Sequence, residues 1–600
     1  MDQPNPETGH AEAEQLGLHP ELAKALRAAA EPRRVMRGDV LMEQGSKADA
    51  LFFVLSGRFT VIVNGAAIAE IGSGEPIGEV AFLGGGSRSA TVIAARSSEV
   101  LVLTQEAYDQ VLDRQPALGS AIISALANRL RTAVSKTPQM RPRPANVIGI
   151  LPGGNAPLDL TALAPLISGL NQTGAPVLTS AADLGSEGSV ADLALHADAG
   201  ERLVLTCANP EADPAWADEV FQNCETIIVC VDRRTATAGS IAQLESRIAD
   251  SVLRQNTHLV LLREPGTERT GSAAWLDGRS FGLHHHMEAG SQADAARITR
   301  LIDGEGLGVV FGGGGAFGTA HLAMLKAFGA HGIEFDMVGG TSVGAAMAGA
   351  FAMGLSMDEV IDRFVEMFVT SGAATKFTLP FWSIMDHKPF DAQLQHHYGV
   401  DRMAEDLAIN FFALATSLSQ NAPVVLRRGK LWEMVRASGS IPAVFPPYVM
   451  EDGEVLVDGG LFNNVPVDTM RSLKGGPNLV LRLEPKTDWR VDMDYAKLPG
   501  RGGAFKRAIF GRRAGKVRFP STSSVMTRSL IVNSENLQAN IDREQDIFID
   551  LQRIKGMGFM QWQKGRDLFD KTYQETSERL DKLAAQHSGL DLLRALAETP

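Results

Sequence analysis

The chain has 600 residues, of which 44% are hydrophobic and 21% are charged, so it is long enough for roughly three or four domains and has the composition of a globular protein. A net charge of -13 argues against a general nucleic-acid-binding protein, because phosphate contacts need clustered Lys and Arg. The three cysteines, Cys207, Cys224 and Cys230, provide neither a disulfide framework nor a paired CxxC metal site, which fits a reducing cytoplasm.

Residues 1–17 are polar and acidic and lack the basic flank and apolar core of a signal peptide. We therefore expect a disordered leader and a cytoplasmic protein. The uncharged stretch that most suggests a membrane helix runs from Met337 to Met357. It is rich in Gly and Ala, which favours close packing in a protein core over contact with lipid.

Short apolar runs that stop at glycine dominate residues 18–136, as in LFFVLSGRFTVIVNG, where the breaks are Gly57 and Gly65. Many short strands that each end at a glycine indicate a closed or double-sheet β domain. A run with helical spacing, Tyr108 to Val134, follows these strands. The Pro- and Arg-rich residues 137–145 then predict a linker.

Within this domain, the run PIGEVAFLGGGSRSATVIAA resembles the phosphate-binding cassette of cyclic-nucleotide-binding domains, and residues 18–136 are similar to their β-roll with flanking helices. A guanidinium such as that of Arg88 can pair with a cyclic phosphate, while the Glu79 carboxylate can accept from the ribose 2′-hydroxyl. We therefore expect cAMP or cGMP as a regulatory ligand, and the alternative is a salt bridge on a β-turn. The nucleotide-binding residues that the resemblance implies are Gly78, Glu79, Arg88 and Ser89.

Residues 146–304 alternate apolar strands (VIGILP, RLVLTCA, TIIVCVD, HLVLLRE) with helical stretches, which is typical of a parallel α/β layer. The first strand ends in PGGNAPLD, which contains neither GK[ST] nor GxGxxG, so we expect no nucleotide-binding loop here. The run His284–His286 has no carboxylate or Cys at ligand spacing, and we predict no metal site.

Residues 305–485 begin with GVVFGGGGAFGTAHLAML, a strand that enters a glycine loop and then a helix. Such a loop can direct several backbone N–H groups toward one point, unobstructed by side chains. A phosphate or the oxyanion of an acyl transfer could sit there, and no Lys follows at the spacing of a nucleotide-binding loop.

The sequence GTSVG, Gly340 to Gly344, places Ser342 between an apolar strand and a helix-compatible run, which is the context of a nucleophile elbow. The alternative is a small residue at a strand-to-helix turn. A candidate base is Asp458 in VLVDGGLFNNVPVD, where a carboxylate ends an apolar strand before two glycines; DGG is otherwise typical of a solvated turn. A late histidine base is not favoured, because His587 in the tail is the only histidine beyond residue 400.

These motifs together resemble the patatin-like phospholipase family, on GGGGAFG (Gly312 to Gly318), GTSVG and DGG, with RASGSIPAVFPP between the serine and the acid. The resemblance implies a catalytic dyad of Ser342 and Asp458. Phe317 departs from the family, which usually has Arg or Lys at this position, and this leaves room for neutral acyl esters or an impaired enzyme. The oxyanion-hole residues that the resemblance implies are Gly313, Gly314 and Gly315.

A cyclic-nucleotide-like domain ahead of a patatin-like domain resembles the neuropathy target esterase family and its bacterial members, which act on phospholipids and lysophospholipids. The resemblance implies a serine lipid acyl hydrolase of phospholipase or lysophospholipase type, with no catalytic cofactor. The alternative is a cyclic-nucleotide sensor or membrane-associated scaffold whose hydrolase domain is impaired.

Residues 486–600 combine a basic segment with a mostly helical tail. The segment 501–519, RGGAFKRAIFGRRAGKVRF, holds seven basic residues and no acidic one, interleaved with phenylalanine and isoleucine. This combination suits contact with an anionic membrane, and the alternative is a flexible basic loop. We expect peripheral contact with the inner face of a membrane here, and the sequence leaves a homodimer open.

Overall fold

A computed structural model of the chain contains three folded regions in succession, each built on its own sheet or pair of sheets. The predicted leader, most of the linker and the basic segment 501–519 lie outside the described residues. The structure describes residues 20–120, 145–154, 156–171, 177–184, 202–237, 243–373, 376–379, 381–483, 545–551 and 561–598, with short stretches at 122–124, 189–190, 193–194, 197, 498, 500, 525 and 557.

The N-terminal region is a β domain with the strands β1 (Glu31–Val35), β2 (Val40–Met42), β3 (Ala50–Ser56), β4 (Arg58–Val63), β5 (Ala66–Gly72), β6 (Pro76–Ile77), β7 (Thr91–Ala94) and β8 (Ser98–Thr104). They form two antiparallel sheets, in the orders β1-β8-β3-β6 and β2-β7-β4-β5. Phe52 of β3 packs between the sheets, while Phe53 packs against the helices Pro20–Ala29 and Gln105–Arg114. The predicted β-roll with flanking helices is confirmed, and the short helix Glu79–Gly84 lies within the cassette.

The middle region is a parallel sheet of β9 (Val147–Pro152), β10 (Val177–Leu178), β11 (Leu203–Thr206), β12 (Thr226–Asp232), β13 (Thr257–Arg263) and β14 (Leu283–Glu288), in the order β10-β11-β9-β12-β13-β14. The strands β9, β11 and β12 are mainly apolar because both faces of the sheet are covered, whereas the edge strand β14 carries His284–His286. The predicted α/β layer is confirmed. Its helices and 3-10 turns are Ala164–Leu170, Ala181–Leu184, Pro214–Asn223, Gln243–Ser251, Arg254–Asn256, Ala273–Leu276 and Gln292–Ile302.

The glycine turn after β9 binds a carboxylate of the chain itself. The Gly154 N–H donates to Oε1 of Glu245 at 2.5 Å, and Glu245 pairs with the buried Arg279 at 2.5 Å. A side-chain anion thus accepts from the turn that would face a phosphate in a nucleotide-binding loop.

The third region is a mixed sheet of β15 (Gly308–Phe311), β16 (Met337–Thr341), β17 (Asn410–Ser417), β18 (Ala422–Leu426), β19 (Tyr448–Val449), β20 (Val455–Asp458), β21 (Asn478–Arg482) and β22 (Asp546–Asp550). The order is β19-β20-β17-β16-β15-β21-β22, with β18 also paired to β17. Strands β15, β16, β17, β21 and β22 are parallel, and β18 and β20 run antiparallel to β17. The α-helices are Thr319–Ala330, Val343–Ala352, Met357–Val365, His387–Tyr398, Leu431–Ser438, Val467–Leu473, Gly565–Leu583 and Gly589–Glu598; the π-helix Glu366–Thr370 and the 3-10 turns Gly315–Gly318, Ala404–Asp406, Gly459–Leu461 and Trp562–Lys564 complete the region.

The C-terminal helices pack onto this third region. The helix Gly565–Leu583 lies against Thr319–Ala330, and Trp562 stacks on Phe368 with 4.1 Å between the ring centroids. The stretch Met337 to Met357 forms β16 and the buried helix Val343–Ala352, as its composition predicted. Among the residues described here, no helix is both long and apolar enough to cross a membrane.

A buried charge cluster joins the β domain to the middle region. Glu225, which precedes β12, accepts from Arg96 at 3.1 Å and lies 3.2 Å from Arg58, both of the β domain. The backbone N–H of Asn146 also donates to Glu225 at 2.9 Å. Nearby, the Asn256 side chain donates to Glu70 at 2.9 Å. The two regions therefore share hydrogen-bonded groups that are not exposed to water.

Replacing Glu225 with alanine should destabilise the fold strongly, because the buried guanidinium of Arg96 loses this carboxylate. Breaking one half of a buried pair costs about 3–5 kcal/mol. The control is Glu575→Ala, which removes an exposed pair with Lys571 and should cost less than about 1 kcal/mol. Urea denaturation followed by circular dichroism measures both, and equal midpoints would contradict the role assigned to Glu225.

Candidate active site

Ser342 lies on a sharp turn between β16 and the helix Val343–Ala352, with a backbone φ of 58° and ψ of -126°. This conformation is unfavourable for a residue with a side chain, so its surroundings must hold it in place. The Ser342 N–H donates to Oγ of Ser438 at 2.9 Å, and the Ser438 hydroxyl donates to the Leu414 carbonyl at 2.6 Å. The flanking Gly340 is required, since a Cβ there would lie 2.6 Å from the Phe311 carbonyl oxygen.

Strand register brings Asp458 to Ser342 across 116 positions of sequence. Thr341 pairs with Leu414 on β17, and the next residue of β17, Ala415, pairs with Asp458 on β20. The Ser342 hydroxyl consequently donates a hydrogen bond to the Asp458 carboxylate. Oδ1 of Asp458 also accepts from the Gly460 N–H at 2.8 Å, which orients the carboxylate.

Asp458 is only 4% exposed, and this burial raises the pKa of its carboxyl to about 6. The hydrogen bonds from Ser342 and Gly460 oppose the shift because they stabilise the charged form. The group is therefore ionised at neutral pH and more basic than an ordinary aspartate. A carboxylate in this state can accept the proton of the hydroxyl it contacts.

The glycine loop after β15 lies against Ser342. A Cβ on Gly313 would come within 3.3 Å of the Ser342 Cβ, so glycine permits this approach. The Gly313 N–H donates to the Asn464 carbonyl at 3.1 Å and is engaged within the fold. The N–H groups of Gly314 and Gly315, at the start of a 3-10 turn, have no acceptor among the described residues. Of the three predicted glycines, these two have N–H groups available to an oxyanion.

Phe317 is 1% exposed and belongs to the hydrophobic core of the third region. The patatin-like family usually has Arg or Lys at this position. The structure shows a packing residue instead, because the 3-10 turn directs this side chain into the core.

Two supporting residues lie in sequence stretches that carry the candidate motifs, but the sequence predicted no role for either of them. Ser438 accepts from the Ser342 N–H, and the Asn464 side chain donates to the Gly313 carbonyl at 3.1 Å. Ser438 belongs to RASGSIPAVFPP and Asn464 to VLVDGGLFNNVPVD, and only the folded arrangement reveals that they hold the elbow and the glycine loop.

A narrow apolar cavity of about 80 Å³ opens beside Ser342 and Gly315. Its wall is made mainly of aliphatic and aromatic side chains, with Arg363, His397 and Tyr398 as its charged or titratable members. Such a wall suits an unbranched hydrocarbon chain better than a polar ligand. Representative apolar wall residues are Val343, Met347, Phe364, Phe390, Val444 and Phe445.

The structure also groups Glu366, His396 and His397, whose ligand atoms lie within 4.8 Å of one another. The sequence predicted no metal site, and Glu366 and His396 are exposed side chains of an ordinary surface kind.

The histidines of the run His284–His286 make hydrogen bonds within the fold. His284 and His286 each donate Nε2–H to the Glu405 carbonyl at 2.9 Å. These bonds join the middle region to the third.

In the β domain, Arg88 is buried and draws the predicted cassette residues together. Its guanidinium donates to the carbonyls of Gly78 at 3.0 Å and Ala50 at 2.5 Å, and it interacts electrostatically with the buried Glu79. Burial lowers the pKa of Arg88 from its ordinary value. Ser89 is exposed beside this group. The four predicted residues are thus clustered, with Ser89 on the open side.

Comparison with known proteins gives two family matches. Residues 309–471 match the model of the patatin-like phospholipases, and residues 32–115 match the model of the cyclic nucleotide-binding domain. The first match spans Ser342 and Asp458, and the second spans the cassette.

Similar proteins occur in bacteria and animals. An uncharacterized NTE family protein of Mycobacterium tuberculosis is 31% identical over 466 residues, which is 75% of each chain. Patatin-like phospholipase domain-containing protein 7 of Rattus norvegicus is 27% identical, over 91% of this chain and 47% of its own. Neuropathy target esterase sws of Drosophila melanogaster is 26% identical, over 91% of this chain and 42% of its own. The chain spans less than half the length of these two animal proteins.

A fluorophosphonate probe should label Ser342, because a serine activated beside a base attacks phosphorus as readily as a carbonyl carbon. Mass spectrometry of the labelled peptide identifies the site. Ser419→Ala, at an exposed serine, should label normally, whereas Ser342→Ala should not label. Undiminished labelling of Ser342→Ala would remove this serine as the nucleophile.

Proposed function

Because the chain belongs to the NTE family, we propose that it is a serine lipid acyl hydrolase of phospholipase or lysophospholipase type that uses Ser342 and Asp458 as its dyad. The patatin-like phospholipase match supports hydrolysis of lipid esters as the general activity. The single observation that carries the dyad is the hydrogen bond from a strained serine to a buried carboxylate, beside an apolar cavity.

In the proposed reaction, Asp458 takes the Ser342 proton as Oγ attacks the ester carbonyl carbon. The negative charge that develops on the carbonyl oxygen accepts hydrogen bonds from the N–H groups of Gly314 and Gly315. The ester C–O bond then breaks, and the alcohol leaves with the proton held by Asp458. Water attacks the acyl-serine with Asp458 again as base, which releases the fatty acid and restores the serine.

The acyl chain of the substrate is proposed to lie in the apolar cavity beside Ser342. Since Phe317 is packed in the core, the head group would not meet a side chain at that position. We therefore expect the acyl chain, rather than a phosphate contact at residue 317, to dominate binding of the substrate.

Hydrolysis of a panel of phospholipids, lysophospholipids and neutral esters tests this function, with Ser342→Ala as the inactive control. Asp458→Asn should lower kcat/KM by roughly 10²–10⁴-fold, which is the usual contribution of a positioned general base. Asp452→Asn, in an exposed turn, should retain full activity.

The same panel should show a characteristic pH profile. The pKa of Asp458 is raised to about 6, so the base is protonated and inactive below this pH, and kcat/KM should rise as pH increases through about 6 and then level off. Near-normal activity in Asp458→Asn would instead point to a histidine base, with His387, His396 and His397 the first to replace.

We further propose that cAMP or cGMP binds the cassette and regulates hydrolysis. The match to the cyclic nucleotide-binding model and the clustering of Gly78, Glu79 and Arg88 support this proposal. A ligand at this site can change the rate at Ser342 only if it binds two states of the chain with different affinity.

Calorimetry on the full-length chain should detect binding of cAMP or cGMP, and Arg88→Gln should abolish it because the phosphate loses its cation. The exposed Arg33→Gln is the matched control. With the usual coupling of about 1–3 kcal/mol, saturating nucleotide should change hydrolysis by roughly 5–150-fold. Absence of heat with a chain that melts normally would leave the cassette as a docking element, and unchanged rates with confirmed binding would contradict regulation.

We also propose peripheral contact with anionic lipid through residues 501–519. This rests on the sequence, since the segment lies outside the described residues.

A further inference from the structure

An exposed apolar hairpin stands beside the candidate active site. Residues 376–379 and 381–386, here called the aromatic hairpin, lie in the sequence between the π-helix Glu366–Thr370 and the helix His387–Tyr398. Four of its large apolar side chains are mostly exposed: Phe377 (74%), Leu379 (72%), Phe381 (81%) and Trp382 (86%). Large apolar side chains are normally buried, so four exposed ones on one short segment indicate that this surface contacts another molecule or a membrane.

The aromatic hairpin is held by backbone hydrogen bonds. The Asp386 N–H donates to the Lys376 carbonyl at 2.9 Å, and the Thr378 N–H donates to the Ile384 carbonyl at 3.0 Å. Ile384 and Met385 also donate to the carbonyls of Ala443 and Val444. The backbone at the base of the hairpin is therefore hydrogen-bonded both to itself and to Ala443 and Val444, and the exposed apolar side chains extend from this base.

The base of the hairpin is part of the cavity wall. Met385 lines the cavity that contains Ser342, and so does Val444, to which Met385 is hydrogen-bonded. Phe381 is four residues from Met385, so its backbone lies within about 14 Å of this wall. The exposed tip is thus continuous with the cavity that we propose takes the acyl chain.

The charges around the tip suit a lipid surface. Lys376 and Lys388 flank the apolar side chains and are both exposed, with Asp386 as the acidic residue between them. Aromatic and aliphatic side chains bordered by lysine are typical of segments that enter the boundary between head groups and acyl chains.

We propose that the aromatic hairpin inserts into a phospholipid bilayer and places the cavity at its surface, so that an acyl chain can pass from the bilayer toward Ser342. This inference rests on the hydrolase function proposed above and names the surface through which that function reaches its substrate. The hairpin is distinct from the basic segment 501–519.

Vesicle partitioning of the Ser342→Ala protein tests the insertion without turnover. The vesicles are phosphatidylcholine, with and without phosphatidylglycerol, and the hairpin variant carries Phe381→Ser and Trp382→Ser. Loss of two inserting aromatic side chains should lower partitioning by at least about tenfold on both vesicle types. The control variant carries Ile123→Ser and Val400→Ser, two exposed apolar residues elsewhere, and should partition like the parent.

A second measurement separates this inference from the hydrolase proposal. With Ser342 intact, the hairpin variant should hydrolyse a soluble short-chain ester at the parent rate and vesicle substrate about tenfold more slowly. Equal partitioning of variant and parent would overturn the insertion while leaving the hydrolase intact. If the parent hydrolysed no ester, the proposed hydrolase function would be wrong, but the partitioning measurement would still decide whether the hairpin inserts into the bilayer. If the variant instead converted a dimer to a monomer without changing partitioning, the hairpin would be a protein contact and the inference would be wrong.

Discussion

The close approach of backbone segments around Ser342 is the constraint on which the third region depends. A Cβ on Gly313 would crowd Ser342, one on Gly340 would crowd the Phe311 carbonyl, and those on Gly344 and Gly459 would collide with neighbouring backbone. Side chains are excluded here because the ends of β15, β16, β17 and β20 converge at one point. This convergence holds the serine in its strained conformation and brings a carboxylate from another strand within reach.

The same crowding explains why this part of the site was predictable from sequence. Where backbone segments touch, only glycine fits, so glycines stand at fixed positions around Ser342. A carboxylate followed by two glycines is also recognisable in the sequence, and the elbow and Asp458 could therefore be selected as candidates. Ser438 and Asn464 could not, since their roles depend on strand register. The exposure of Phe381 and Trp382 was also missed, because apolar residues in a sequence predict burial and only the fold shows which ones remain outside. The short strands that stop at glycine predicted a closed or double-sheet β domain, and the alternating apolar strands predicted the parallel layer of the middle region. The β-roll itself was implied by the resemblance of the cassette.

The middle region contacts both the β domain and the third region. Glu225, which precedes the interior strand β12, binds arginines of the β domain, and the edge strand β14 contacts the third region through His284 and His286. Among the described residues, these contacts link the cassette to the serine through a packed sheet as well as through the chain connection. A change in the β domain would therefore have to alter the packing of a rigid layer, which favours discrete states over gradual ones.

The shared carbonyl of Glu405 fixes the tautomers of two imidazoles at this junction. A carbonyl oxygen only accepts, so His284 and His286 must both carry their proton on Nε2. Burial lowers the pKa of His284 to about 3 and that of His286 to about 4, which leaves both rings neutral from about pH 5 to 8, the range in which an ordinary histidine changes charge. A cluster of histidines is commonly associated with acid sensing. Here the two rings form a contact between the middle and third regions that stays uncharged over this pH range.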